Sequence, residues 1–396
     1  MNLNLYQLCD KKHNKGSIKA ILNNDLKDNI KKSLLELKKQ KVKFKDVSKQ
    51  VGIDYITLWK HINKRNSISL TILTNLENIS GIDLRDSINE LTLGRKNYKI
   101  KCPNKINEEL AKIIGAIIAD GHLRYRKSKR GYHYELVIVE GFKSNVDAFS
   151  KWFNKVFGVK IIPKKENKYY LIYISNKIIF KFFNSVIGIP AGNKSSIVYV
   201  PEIVRNSNSN IKKAFLQGIF MFDGGVDYRT CYIDLVSKSR TLIKETNEIL
   251  KQLKLEPDFV SLNPDNFGRY RLRFRKASKL KKCLQLFGKN TEKWFRLKEH
   301  LDGLETITKD LKIAIKSFDK YYPRVRKNSI TFSDIIKTIY ELKSAEVESV
   351  AKSIKRNKTV TYGFLNKLEK WNVFKSQRKG LNKCYQLNSI LKIPRR

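Results

Sequence analysis

Cysteine, acidic residues and long apolar runs are all scarce in this 396-residue chain, and each scarcity excludes a class of protein. The five cysteines, Cys9, Cys102, Cys231, Cys283 and Cys384, lie far apart with no CxxC pair. That spacing suggests neither a disulfide framework nor a zinc site. No apolar stretch approaches the roughly 18–20 residues of a membrane span. Residues 1–19 lack the apolar core and small-residue cleavage site of a signal peptide, so an intracellular protein with no membrane partner is expected. Acids number 37 against 81 lysines and arginines, a net charge of +44. An AT-rich genome would enrich lysine, but it would not deplete glutamate and aspartate. Hydrophobic content of 41% and aromatic content of 11% exclude a disordered polycation. The basic excess runs through every hundred-residue stretch, which fits a polyanion bound along the whole molecule. Nucleic acid is the expected partner, and the cytoplasm, in association with the nucleoid, the expected location.

Residues 27–91 read as a helical domain. Between Phe44 and Ile62, Val47, Val51, Ile53 and Leu58 fall on one apolar face, with Ser48 small where two helices approach. Gly52 stands where a sharp turn needs a positive φ, and Asp54 is placed to cap the second helix. This is the pattern of a helix-turn-helix, from which Tyr55, Thr57 and Lys60 would reach a major groove. Residues 92–106, polar and carrying Gly94 and Pro103, read as a linker. Near the other end, residues 328–390 read as three helices and then a basic hairpin, Val373 to Leu387, turning at Lys379-Gly380. That order describes a winged helix.

Between them the pattern runs helix, strand pair, helix, strand pair, helix, twice over, in 107–205 and in 206–305. Asp120 precedes Gly188 by 68 residues and Asp223 precedes Gly288 by 65; the corresponding spacings to Lys194 and Lys293 are 74 and 70. Such agreement predicts an internal duplication. The expected fold is therefore α+β: two pseudo-symmetric αββαββα repeats flanked by a helix-turn-helix and a winged helix, in a monomer with an internal pseudo-twofold axis.

The helices that open the repeats end Ile113-Ile-Gly-Ala-Ile-Ile-Ala-Asp-Gly121 and Leu216-Gln-Gly-Ile-Phe-Met-Phe-Asp-Gly224. In each, a glycine stands five residues before the aspartate. A mid-helix glycine costs about 1 kcal/mol relative to alanine, so Gly115 and Gly218 need a reason, and close approach of two helix backbones supplies one. Helices packed side by side would bring Asp120 and Asp223 together at their ends. Paired carboxylates repel, and divalent cations between them relieve the repulsion.

A second pattern lies in Arg269-Tyr-Arg-Leu-Arg-Phe-Arg275. With a strand period of two, Arg269, Arg271, Arg273 and Arg275 share one face, and Tyr270, Leu272 and Phe274 the other. The arginine row suits guanine edges and phosphates. Arg124 and Arg126 repeat the arrangement on a smaller scale in the first half.

The two helix-end motifs resemble those of the LAGLIDADG homing endonucleases in their single-chain, two-motif form. The resemblance covers about residues 107–305, and extends to phrases such as Ile187-Gly-Ile-Pro-Ala-Gly-Asn-Lys-Ser195 and Val200-Pro201, which recur in family members lodged in archaeal inteins and introns. It implies a saddle-shaped fold that hydrolyses double-stranded DNA at long sites with Mg²⁺. It implies that Asp120 and Asp223 bind the metal, and that Lys194 and Lys293 help to orient or polarise the attacking water. The motif departs from the family at its sixth position, often acidic there but Ile118 and Met221 here, and at its seventh, usually small but Phe222 in the second copy. Two rival functions share these features, a non-cleaving DNA-binding regulator and an RNA-binding intron maturase. Retention of both aspartates and both lysines argues against the first, and flanking modules of duplex-reading type weigh against the second.

Overall fold

The computed structural model describes residues 2–9, 17–93, 99–128, 131–227, 232–261, 263–289, 291–307, 315, 330–370, 373–380 and 382–388. Gly94, Cys231, Trp371 and the side chain of Tyr55 lie outside the described set. The chain mixes helices with small antiparallel sheets and falls into two compact units. One comprises Met1–Gly224, Leu235–Leu272 and Leu286–Gly288; the other comprises Gly225–Asp234, Arg273–Gln285 and Lys289–Arg396. Among the described residues, no helix is long and apolar enough to cross a membrane.

The first unit opens with β1 (Lys19–Ile21), α1 (Asn24–Lys39), α2 (Phe44–Val51), α3 (Tyr55–Asn63), β2 (Ser67–Ser69), α4 (Leu70–Ser80), β3 (Glu90–Thr92) and β4 (Lys99–Lys101). Gly52 ends α2 with φ +85°, and the Asp54 carboxylate starts α3 by accepting from Thr57 N at 2.8 Å. The strands form one sheet in the order β2-β1-β3-β4. Residues 92–106 are thus not a plain linker: Lys99–Lys101 pair with Glu90–Thr92, where Leu91 and Ile100, opposite each other, both bury their side chains. A short N-terminal segment straps α4 to the chain just beyond β4. Leu3 N donates to Asn104 O at 2.6 Å, and Tyr6 Oη donates to Glu77 on α4 at 2.8 Å.

The next stretch runs α5 (Glu108–Ala119), β5 (Gly121–Ser128), β6 (Gly131–Glu140), α6 (Lys143–Phe157), β7 (Lys164–Glu166), β8 (Tyr169–Ser175) and α7 (Lys177–Lys181), which continues as a π-helical turn, Phe182–Val186. Its sheet order is β5-β6-β8-β7. Phe153, Phe157, Phe182 and Phe183 stack in a closed cluster beneath it, with ring centroids 4.7–5.7 Å apart. Each such ring is fully or nearly fully buried, worth about 2 kcal/mol of burial apiece.

After a one-turn α8 (Glu202–Arg205), the same order of elements recurs: α9 (Ser209–Phe222), β9 (Gly225–Asp227), β10 (Tyr232–Ser237), α10 (Arg240–Gln252), β11 (Phe259–Val260), β12 (Tyr270–Phe274) and α11 (Ala277–Cys283). These strands run β11-β12-β10-β9, and the division between the two units falls within β10 and β12.

The second unit ends with α12 (Glu292–Ile307), α13 (Phe332–Leu342), β13 (Ser344–Glu346), α14 (Val347–Ser353), α15 (Lys358–Lys370), β14 (Phe374–Lys379) and β15 (Asn382–Leu387). A capping box joins Thr331 to Asp334 at the head of α13. Beyond the three helices and hairpin expected from sequence there is one extra strand, since β13 pairs with β15 through Ala345 and Tyr385.

Candidate functional site

Helices α5 and α9 cross where each carries its glycine. A Cβ on Gly115 would lie 2.3 Å from Phe215 O, and one on Gly218 would lie 2.1 Å from Lys112 O. Neither position admits any other residue without parting the helices. Both helices are apolar nearly all round, so both are buried, and both end at an aspartate: Asp120 is the C-cap of α5 and Asp223 the C-cap of α9. The two carboxylates line one cleft of about 640 Å³ together with Lys194, Asn193, His122, Ser237, Lys238 and Arg269. Two carboxylates and the negative ends of two helix dipoles thus concentrate negative charge in a cleft whose other charged lining, Lys194, Lys238 and Arg269, is basic.

Lys194 lies at its edge, only 8% exposed. Its ammonium donates to the carbonyls of Ile118 and Ala119, the latter at 3.3 Å, and so closes the end of α5. Burial pulls its pKa down to about 8, while the charges of Asp223 and Asp120 hold it up. The end of α9 is held by a different group: Asn145, on the first turn of α6, donates Nδ2 to Met221 O at 2.7 Å and to the buried Glu140 carboxylate at 3.0 Å. Nothing in the motif spacing marks Asn145, because Met221 lies 76 residues away, or Glu140, which acts through Asn145. Phe222, the bulky departure at the seventh position, is buried and turns its ring edge-on to Phe149 of α6, at 6.3 Å.

The donors fit a hard divalent cation. Among the described residues no group of three or more His, Cys, Asp or Glu side chains gathers to enclose a metal. A pair of carboxylates with adjacent backbone carbonyls suits an ion that keeps several waters and completes its shell with substrate phosphate, as Mg²⁺ does. Lys293 is buried near the start of α12, in the second unit.

The arginines are more engaged than their strand pattern suggests. Arg269 lines the cleft and pairs with Asp265 at 2.9 Å. Arg271 is half-buried, with its backbone N–H on Ser261 Oγ at 2.6 Å. Arg273 is only 14% exposed in its side chain, pairs with Asp234 at 3.0 Å, and stacks 3.8 Å from the Tyr232 ring centroid. Arg275 is exposed. The row is therefore not the bare cationic edge that β12 alone describes, because β10 and the preceding loop bring acids to it. In the β5–β8 sheet, Arg124 and Arg126 both pair with Glu135 on β6. On α3, Lys60 is exposed and Thr57 half-buried, beside Ile56 and Trp59, 59% and 41% exposed, which sequence reading passed over.

No family model matches the chain. Among curated proteins it is similar to a glutamine–fructose-6-phosphate aminotransferase of Methanocaldococcus jannaschii, 27% identical over 275 residues, 68% of this chain and 24% of that one. It is similar to a DNA polymerase of a Thermococcus species, 27% identical, covering 42% of this chain and 9% of that one. One subunit of the A-type ATP synthase of Pyrococcus abyssi is 29% identical, over 37% and 13% respectively. The chain thus spans less than a quarter of the length of these relatives. Among solved structures it aligns with the homing endonuclease I-DmoI in complex with DNA and Mn, at a TM-score of 0.37 and 19% identity, over 46% of this chain and 98% of that one. It also aligns with the LAGLIDADG meganuclease I-AabMI bound to uncleaved DNA, at 0.37 and 12%, over 56% and 100%. The N-terminal LAGLIDADG domain of DUF199/WhiA aligns at 0.31 and 14%, over 46% and 82%.

Proposed function

We propose that the chain is a site-specific endonuclease of the LAGLIDADG homing type, hydrolysing phosphodiester bonds of double-stranded DNA with a divalent metal, Mg²⁺ in the cell. The observation that carries this reading is the convergence of Asp120, Asp223 and Lys194 on one cleft at the ends of two glycine-crossed helices. Similarity to minor portions of an aminotransferase, a polymerase and one part of an ATP synthase, proteins with no activity in common, supports a segment that travels between hosts. The domain division that goes with it is 27–91, 107–205, 206–305 and 328–390. The two central parts are pseudo-symmetric halves of one saddle, and the outer two a helix-turn-helix and a winged helix that extend the DNA interface.

Asp120 and Asp223 would hold the metal, which when bound supplies charge neutralisation and a nucleophilic water. Lys194 adds a cation beside the scissile phosphate, and with a pKa of about 8 it stays protonated at neutral pH. Lys293 has the same role in the second half. Arg124, Arg126, Arg269, Arg271 and Arg275 face the duplex, while Arg273 holds the second sheet together. Tyr55, Thr57 and Lys60 meet a flanking major groove.

The test is to recover preferred duplexes from a randomised library by binding, then incubate them with Mg²⁺. Discrete double-strand cleavage is expected, abolished by Asp120→Asn or Asp223→Asn with binding retained. Cleavage that persists in either variant would remove the active-site assignment.

A further inference from the structure

The β5–β8 sheet carries an acid where a surface meant for a polyanion should have none. Glu135 sits on β6 directly opposite Arg124 of β5 and Ser175 of β8, on the same face as Arg126 and Tyr173. Its side chain is 0% exposed although this is the face opposite the buried Leu123, Leu136 and Ile174, because three neighbours close over it. Arg124 Nε donates to Oε2, Tyr173 Oη donates to Oε1, and Arg126 Nη2 lies 3.3 Å from Oε1. Both carboxylate oxygens are thus engaged from two flanking strands. The guanidiniums remain open outward, their side chains 45% and 65% exposed. Burial pushes the carboxyl up, but the Tyr173 bond and the two arginines outweigh it and keep the group below its usual range, ionised at neutral pH.

We propose that Glu135 is a positioning residue for sequence reading, holding Arg124 and Arg126 as a fixed pair that reads adjacent guanine-bearing base pairs in the half-site under β5–β8. The proposal rests on the reading that this sheet faces duplex DNA. A carboxylate on two guanidiniums does two things at once. It leaves the cluster a net charge of about one rather than two, which weakens non-specific attraction to phosphates. It also fixes the planes of both forks before DNA arrives, so that less freedom is lost on docking against the O6 and N7 edge of guanine. A free arginine pair would bind any duplex more tightly and discriminate less.

The test compares the full chain with Glu135→Gln, which keeps the shape and loses the charge. Base preferences come from binding selections on a randomised duplex library, and affinity for random duplex is measured by fluorescence anisotropy across a salt series. In Glu135→Gln, preference should fall about tenfold at one or two neighbouring positions of one half-site, with the other half-site unchanged. Affinity for random duplex should rise, and the salt slope steepen by about one counter-ion. Arg126→Lys, changed at a largely exposed side chain, should relax preference at a position within the same pair and serves where Glu135→Gln fails to fold. A Glu135→Gln protein with the melting temperature and base-preference profile of the unaltered chain overturns the proposal, as does an even loss at all positions. So does an unmoved profile in Arg126→Lys. If the unaltered chain shows no sequence preference, the reading of the sheet falls and the proposal with it. Preference kept in both half-sites of Glu135→Gln sinks the proposal alone.

Discussion

Lys194 carries a cost in stability at a single side chain. Its ordinary pKa of 10.5 falls to about 8 in the folded protein because burial disfavours the charge. Below pH 8 the lysine is protonated in both states, and the native state bears a cost on the order of 3 kcal/mol. Between pH 8 and 10.5 the unfolded chain binds the extra proton, so that stability rises with pH across that window. Lys194→Met should therefore be more stable than the unaltered chain at pH 7 in EDTA, with the gap closing by pH 10. Urea titrations of both proteins at several pH values check this; a gap that stays constant would mean that the ammonium is better solvated than its burial implies. Arg273 offers a second case at this scale. With its guanidinium paired to Asp234 and stacked on Tyr232, Arg273→Lys should lower the melting temperature measurably.

At the scale of elements, the glycine crossing decides whether the cleft exists. Gly218→Ala gains helix propensity worth about 1 kcal/mol, yet places a Cβ 2.1 Å from Lys112 O, an overlap that should cost about 3 kcal/mol or more net. A melting temperature at or above that of the unaltered chain would show that α5 and α9 do not cross so closely. These helices were legible in the sequence because everything that defines them is local: an apolar run, a glycine, and an aspartate five residues on. The hairpin of β14 and β15 was legible for the same reason, its turn residues being adjacent. Partners that depend on register were not. Glu135 meets Arg124 only because β5 and β6 pair in one particular alignment, and Asp234 meets Arg273, 39 positions further along the chain. The short strands β4 and β13 carry too few residues to show an alternation. The hold of Asn145 on Met221 leaves no periodic trace at all.

For the molecule as a whole, charge and packing divide the flanks. The C-terminal segment is the most basic part of the chain, so a protein shortened after residue 307 should bind DNA with a flatter salt dependence, by about 0.9 in the logarithmic slope for each phosphate no longer neutralised. An unchanged slope would assign α13–α15 and their hairpin another purpose. The N-terminal region answers differently to trimming. It shares a compact unit with α5–α9, and Leu3 N donates to Asn104 O beyond it, so removal of residues 1–100 should lower stability as well as affinity for DNA. The crossing of α5 and α9 has a further consequence for chimeras. Each helix seats its glycine against the other's main chain, so at those two positions the join is set by backbone shape. A hybrid joining residues 1–205 to the later half of a distant relative needs glycine five places ahead of the acid on both sides. It also needs an acceptor for Asn145 where Met221 stands, a ring or its equal for Phe149 where Phe222 stands, and a carboxylate for Val200 N where Glu245 stands, so that a graft is limited by these few matched contacts rather than by overall likeness.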